Sequence, residues 1–247
     1  MINNYQIIIK YLSNDYVGWQ RQKNGISIQL LIEKALGKTL NSKIKINGSG
    51  RTDAGVHAIA QSANFLFKEE IKDEFKFLNT VNYFLKNNSI SITSLKKRNK
   101  NFHARYSAKK RSYEYLISNR IGKLAIDKKK SWLVKKNLDL KKMKKAITYF
   151  CGTLNFSAFR ASSCTAKSPI KTITKATIKK NKDKIIIIFE SKSFLQKQVR
   201  SMVGCLKYVG ENKWKPEKIK NVIRLKKRKL CAPPAPPDGL YLKRVFY

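Results

Sequence analysis

The chain has 247 residues, of which 54 are Lys or Arg and 15 are Asp or Glu, for a formal net charge of +39. Such an excess repels itself, so it points to a polyanionic partner, nucleic acid first; drift toward a Lys-, Ile- and Asn-rich composition (43 Lys against 11 Arg, 26 Ile, 19 Asn) is the competing source. At 42% hydrophobic the chain can build a core, which excludes disorder, and its longest apolar run, residues 185–189, falls far short of the ~20 residues of a membrane helix.

Residues 5–11 are predicted to form a strand. Nothing near the start resembles a basic n-region followed by a cleavable apolar stretch, so a cytoplasmic location is expected. Ser27 caps a helix whose apolar residues Ile28, Leu31, Ile32, Ala35 and Leu36 fit the i, i+3, i+4, i+7, i+8 template. A strand over 59–67, a helix over about 74–86 with Phe75, Leu78, Val81, Asn82 and Leu85 on one face, and a strand from Ser89 follow, so the first part reads β-α-β-β-α-β. Beyond Arg111, strands are predicted at 113–118 and 132–135. A helix follows with the face Leu140, Met143, Ile147, Phe150, then strands at 170–178 and 185–190. A helix from about Phe194 to Gly210 turns Leu195, Val199, Met202, Val203 and Leu206 to the core; Pro216 opens a short helix and 240–247 closes the chain as a strand. Helices do not separate the strands one for one. The expected fold is therefore α+β, two similar halves with largely antiparallel sheets, 1–110 and 111–247, carrying net charges of +12 and +27.

Cys151, Cys164, Cys205 and Cys231 show no C-x-x-C spacing, so buried or free thiols are expected rather than a metal site or disulfides. Only His57 and His103 are present, neither with a Cys or His at ligand spacing and neither near a G-x-S-x-G elbow, so metal catalysis and a hydrolase triad both fall away. Both histidines are expected to be structural or phosphate-side contacts.

Residues 47–57 read N-G-S-G-R-T-D-A-G-V-H. Three glycines around Arg51 and Asp53 predict a tight path that presents two opposite charges side by side. The Walker and dinucleotide-loop patterns both fail here, the first for want of Gly-Lys-Ser/Thr and the second because Asp53 stands where a Gly is needed. By spacing alone, an Asx-turn role for Asp53 outweighs catalysis.

The run G-R-T-D-A-G-V-H-A-x-x-Q, ending at Gln61, resembles the catalytic loop of the TruA family, the tRNA pseudouridine synthases A. Further segments in that family's order are Y-V-G-W-Q-R-Q (16–22) with Ser27-Ile28-Gln29, and F-H-A-R-Y-S-A (102–108) with Tyr113-Glu114-Tyr115. Then come F-R-A-S-S-C (159–164) with Pro169, F-L-x-x-x-V-R-x-M-V-G (194–204) and A-P-P-D-G-L-Y-L (235–242). One turn departs from the pattern: Tyr11-Leu12-Ser13-Asn14-Asp15 stands where the family usually has Tyr-Asp-Gly-Thr. The resemblance implies conversion of uridine to pseudouridine at positions 38 to 40 of the tRNA anticodon stem-loop, without metal or organic cofactor. It also implies a homodimer of two-domain subunits of the pseudouridine-synthase type, with the active site in a cleft between the domains. By the same resemblance Asp53 is the nucleophile, Arg51 helps hold the flipped nucleotide, Tyr113 stacks on the target base, and Arg200 is the basic partner of the carboxylate.

The chemistry asks for such a set. Breaking the N-glycosidic bond and rejoining the sugar through C5 needs a nucleophile that attaches and leaves, at C6 of the base or C1′ of the sugar, and a carboxylate serves for either. A cation keeps that carboxylate ionised where water is excluded, and an aromatic face receives a base taken from its stack. On a helical wheel Arg200 falls about 120° from the centre of its helix's apolar face, a flank position. Tyr106 and Tyr115 offer the same outward look as Tyr113. The Lys-rich runs at 128–130, 141–145 and 226–229 are expected to be mostly solvated faces. The rival reading is a basic RNA-binding module without chemistry, in which Asp53 would serve no purpose among so few acids.

Overall fold

The computed structural model describes residues 2–247. The chain forms two compact units, the first comprising residues up to Lys109 together with Tyr241–Tyr247, the second Lys110–Leu240. The C-terminal strand, kept with the second half in the sequence reading, thus falls in the first unit.

In the first unit the order is β1 (Asn3–Tyr11), α1 (Ile28–Thr39), β2 (Ile46–Gly48), β3 (His57–Phe67), α2 (Glu74–Leu85) and β4 (Ile90–Arg98). Strand β1 pairs antiparallel with β3 on one side (Tyr5↔Phe65) and with β4 on the other (Ile7↔Leu95). The far edge of β3 takes β2 antiparallel (Ile46↔Phe65), and its beginning takes the C-terminal strand in parallel (Tyr241↔His57). Helix α1 starts where expected because Ser27 Oγ accepts the Leu30 N–H. It buries Ile28, Ile32, Ala35 and Leu36 as a stripe at helical spacing. Asp73 caps α2 in the same way, through Lys76 N. The core is aromatic as well as aliphatic: Tyr5 stacks on Phe65 and Phe65 on Phe77, with ring centroids 5.6 and 6.4 Å apart. Burying each such ring contributes about 1.5–3 kcal/mol.

One predicted face is corrected. Helix α2 buries Phe77, Val81 and Leu85, while Phe75 is 77% exposed. Asn82 instead bonds the main chain of Ile92 through both ends of its amide, tying the helix to β4.

The second unit runs β5 (Lys110–Ser118), β6 (Trp132–Leu133), α3 (Leu140–Ile147), β7 (Gly152–Asn155), β8 (Ile170–Asn181), β9 (Lys184–Ser191), α4 (Gln198–Gly210) and α5 (Lys218–Leu225). The last strand, β10 (Leu240–Phe246), begins at the unit's end. Strand β9 lies antiparallel between β5 and β8, β7 extends the ladder beyond β8, and β6 adds a short parallel pairing to β5. Alternation is clean in β9, where Ile185, Ile187 and Phe189 are buried. Phe150 meets Phe159 and Phe189 edge-on beneath the sheet. Both units are thus α+β with mainly antiparallel strands.

Helix α4 begins at Gln198, four residues later than its apolar pattern suggested. Lys197 sits at φ +61, outside helical space, and Gln198 Oε1 accepts the Leu195 N–H, so the side chain rather than a helical turn satisfies that donor.

Candidate active site

The loop bearing Asp53 connects β2 to β3, and almost every residue around it is fastened. At its entry Trp19 lies against Gly48 so closely that a Cβ there would stand 2.6 Å from the indole, which only glycine avoids. Ser49 N donates to Ser62 O at 2.7 Å and Ser49 Oγ to Gln61 Oε1 at 2.6 Å. Gln61 Nε2 donates to Gly50 O at 2.9 Å, so this buried amide spans the first half of the loop from inside. In the middle, Thr52 is buried and shares a 2.8 Å hydrogen bond with the Tyr11 hydroxyl. Its carbonyl accepts Trp19 N at 3.1 Å. Gly18, at φ +101, lets that carbonyl approach, because a Cβ would lie 2.7 Å from it. Past Asp53 the main chain turns: Val56 N donates to Asp53 O, with Gly55 at φ +77, and Gly55 N donates to Ser13 O.

Ser13 N in turn donates to His57 Nδ1 at 2.9 Å. An Nδ1 that accepts a main-chain N–H carries no proton, so His57 is held as the neutral ring. It is fully buried, 4.8 Å from the Tyr241 ring. This is the structural role expected for it. Ser13 therefore braces the loop through its main chain. Its Oγ and the Asn14 Oδ1 are buried with no hydrogen-bond partner among the described residues, at the turn where the sequence departs from the family pattern. Between these fastenings Asp53 is half-buried and Arg51 exposed, the two side chains the loop presents.

The three look-alike tyrosines, Tyr113 and Tyr115 in the second unit and Tyr106 in the first, are separated by environment. Tyr115 is fully buried, its hydroxyl donates to Pro236 O at 2.8 Å, and burial pushes that hydroxyl well above the usual phenol range. Tyr106 is 76% exposed beside His103. Tyr113 is half-buried, opposite Phe189 in the ladder, with its ring edge-on to Phe194 at 5.2 Å.

Arg200 stands on the flank of α4, half-buried. Its Nε donates to Ala235 O at 2.7 Å, and Ala235 N returns a bond to Arg200 O at 2.9 Å. One turn on, a Cβ at Gly204 would lie 2.0 Å from Pro233 O. The segment through Pro233 and Ala235 therefore runs along α4 in main-chain contact, and a Cβ at Gly239 would lie 2.7 Å from the Tyr115 ring. The A-P-P-D-G turn is thus the support of Arg200 and Tyr115. The charge of Arg200 also reaches the Tyr115 hydroxyl and favours its ionised form, against the larger effect of burial.

Several supports escaped the sequence analysis. Tyr11, Ser13, Thr52 and Gln61 position the Asp53 loop; Thr52 and Gln61 stood in the loop motif and Tyr11 and Ser13 in the turn that departs from the family pattern, with no role read for any of them. Arg228, counted with a solvated basic run, donates to Ala158 O and Ser201 Oγ and joins three segments. Among the described residues no group of three or more His, Cys, Asp or Glu could hold a metal ion, and no helix is long and apolar enough to cross a membrane.

The model of a family described as tRNA pseudouridine synthase matches residues 7–107 and 146–247. A tRNA pseudouridine synthase A of Pelagibacter ubique (strain HTCC1062) is 52% identical over 243 residues, covering 98% of this chain and 99% of the relative. The protein of the same name from Ehrlichia canis (strain Jake) is 42% identical over 244 residues, 98% of this chain and 99% of the relative. That from Parvibaculum lavamentivorans (strain DS-1) is 40% identical over 243 residues, 98% of each. A full-length likeness to enzymes leaves no room for a non-catalytic RNA-binding module. Glycine-rich loop, α4 segment and closing turn all lie inside the matched residues, and the chain belongs to the tRNA pseudouridine synthase family.

Proposed function

We propose that the chain isomerises uridine to pseudouridine at positions 38 to 40 of the tRNA anticodon stem-loop, with Asp53 as nucleophile. The observation that carries this reading is the fastening of the Asp53 loop. In a chain with 15 acids against 54 bases, a half-buried carboxylate is presented from a loop tied at Gly48, Ser49, Gly50, Thr52 and Gly55. Such fixing is what a nucleophile needs if it is to meet its target without reorganising. Asp53 attaches to C6 of the base or C1′ of the sugar, the glycosidic C–N bond breaks, the base turns and C5 bonds to C1′; Asp53 departs from C1′ as that bond forms, or from C6 after it, and the C5 proton then leaves. Arg200 is the cation assigned to keep Asp53 ionised, Arg51 contacts the displaced nucleotide, and Tyr113 stacks on the base. The net charge of +39 serves docking to the tRNA backbone.

Rejoining at C5 obliges loss of the C5 hydrogen, so tRNA tritiated at uridine C5 should release one label per modification. The parent is expected to release it in the presence of a chelator. Asp53→Asn is expected to release none while binding tRNA almost as well. Normal release by Asp53→Asn would remove it as nucleophile; no release by the parent from an unmodified tRNA would remove the reaction.

The chain is further proposed to act as a homodimer. Phe75 and Tyr83, eight positions apart on the outer stripe of α2, are both exposed, with Asp73 and Glu74 at one end of the helix and Lys86 at the other. A two-fold axis across α2 would set each acidic end against a basic one. Sedimentation is expected to give a dimer mass for the parent and a monomer mass for Phe75→Glu/Tyr83→Glu; a monomeric parent would remove the proposal.

A further inference from the structure

Away from Asp53 the fold brings two thiols together. Cys205, in the body of α4, is fully buried; Cys231, half-buried, follows the short turn Arg228–Leu230, and the two sulfurs are 3.5 Å apart. Cys231 lies outside any helix or strand, so its main chain is not held in a helical ladder as that of Cys205 is. Arg228 adds a fixed guanidinium close by, anchored on Ala158 O and Ser201 Oγ. The remaining cysteines, Cys151 and Cys164, are respectively exposed and half-buried.

We propose that Cys231 and Cys205 form a reversible thiol–disulfide site, in which Cys231 is oxidised first by a hydroperoxide and Cys205 resolves it. The two sulfurs are electrostatically unlike. The hydrogen bond from Cys205 and the charge of Arg228 hold the Cys231 thiol below the usual cysteine range despite its burial. The same hydrogen bond, with burial, pushes Cys205 well above it. Cys231 is therefore the sulfur that reaches the thiolate state and Cys205 the one that keeps its proton until needed.

The steps balance. The Cys231 thiolate attacks hydrogen peroxide, an S–O bond forms as the O–O bond breaks, and the departing hydroxide takes up a proton as water. Cys205 then gives up its proton and attacks the sulfenic sulfur; an S–S bond forms, the S–O bond breaks, and a second water leaves. Two thiols and one peroxide become one disulfide and two waters. Closing from contact to a bond of ~2.05 Å asks for an approach of ~1.5 Å, which the non-helical Cys231 segment supplies. The disulfide would staple α4 to the segment that leads to Ala235, the carbonyl partner of Arg200. Without its resolving partner Cys231 would continue to sulfinic acid, which common thiols do not reverse.

The test is independent of the synthase reading. The purified chain is exposed to a few molar equivalents of hydrogen peroxide, quenched, unfolded and its thiols counted. The four free thiols are expected to fall to two, with one peptide pair joining Cys205 to Cys231, and dithiothreitol should restore all four. Cys231→Ser, at a half-buried site, should keep its three thiols under the same dose. Cys205→Ser should carry a sulfenic acid at Cys231 that dimedone captures, and on further peroxide should pass to a form that dithiothreitol does not rescue. The proposal is overturned if the parent keeps four thiols, if Cys151 or Cys164 is consumed before the pair, or if Cys231→Ser loses the Cys205 thiol as fast as the parent. Should Cys205→Ser fail to fold, the parent and Cys231→Ser decide alone.

Discussion

The Asp53 loop and the Arg200 helix are both fixed by contacts outside their own segments, but side chains carry a larger share at the loop and main-chain apposition at the helix. Besides main-chain bonds at Ser49, Thr52 and Gly55, the loop is held by side chains: the Gln61 amide takes both the Ser49 hydroxyl and the Gly50 carbonyl, the Tyr11 hydroxyl takes Thr52, and the His57 ring takes the turn at Ser13. The helix adds close main-chain apposition, with Gly204 under Pro233 and the Ala235 N–H on Arg200 O, and a single side-chain bond, Arg200 Nε to Ala235 O. Side-chain fastening lets a loop be trimmed one bond at a time, at about 0.5–1.5 kcal/mol each. Main-chain apposition has no such increments, because any added atom moves a whole segment.

The largest effect is expected at Arg200, where positioning and charge can be separated. Arg200→Met removes both, and turnover should fall by about a hundredfold or more, roughly 3 kcal/mol of transition-state stabilisation, with much less loss of tRNA affinity. Arg200→Lys keeps a cation but loses the Nε bond to Ala235. If charge near Asp53 is the function, Lys should recover a large part of the Met loss; if Lys is as poor as Met, Arg200 matters through Ala235.

A smaller and sharper contrast sets Gly204→Ala against Thr52→Val. The first places a Cβ 2.0 Å from Pro233 O and should destabilise the chain by about 1–3 kcal/mol, read as a lower Tm, because α4 and its neighbour must separate. The second deletes the partner of the Tyr11 hydroxyl and should cost only about 1 kcal/mol of stability while lowering kcat more than it raises KM, since the loop stays folded but loses a fastening beside Asp53. Equal Tm losses from the two would contradict the contrast between the regions.

The smallest effect concerns the far end of α4. Burial alone would raise the Glu211 carboxyl, but the ammonium groups of Lys207 at 2.7 Å and Lys213 at 3.2 Å hold it below the ordinary glutamate value of 4.5. A carboxyl depressed in the folded state binds fewer protons there than when unfolded. Its stabilisation is therefore full above the ordinary value and is lost as pH falls through the folded one. With Lys213 half in solvent the contribution is about 1 kcal/mol or less. The Tm gap between the parent and Glu211→Gln should be open at neutral pH and close as pH is lowered below 4.5. A gap that persists in acid would assign it to packing.

Much of this was legible in the amino-acid sequence because it is local. Ser27 before an apolar stripe announces α1, and three glycines within eight residues announce the tight turn at Asp53. What escaped is long-range or degenerate. Phe75 and Phe77 are both apolar and two residues apart, so periodicity alone could not say which of them α2 buries; the register against Phe65 decides it. The start of α4 was misplaced because Lys197 adopts a left-handed conformation with no glycine to signal it. The strands β2 and β7, of three and four residues, are too short to show a period. The link from Ser13 to His57 joins two motifs whose separate patterns carry no hint of contact.

The pairing of β10 with β3 also orders events during synthesis. Tyr241 packs on His57, and the Tyr247 hydroxyl donates to Ser62 Oγ and Ala104 O, so the exit of the Asp53 loop is buttressed by residues translated only after the second unit. The whole of Lys110–Leu240 emerges between β4 and those residues, and at ~5–20 residues per second the interval is roughly seven to twenty-five seconds. Through that time the beginning of β3 presents unpaired main-chain donors and acceptors, a template for strand addition by another nascent chain.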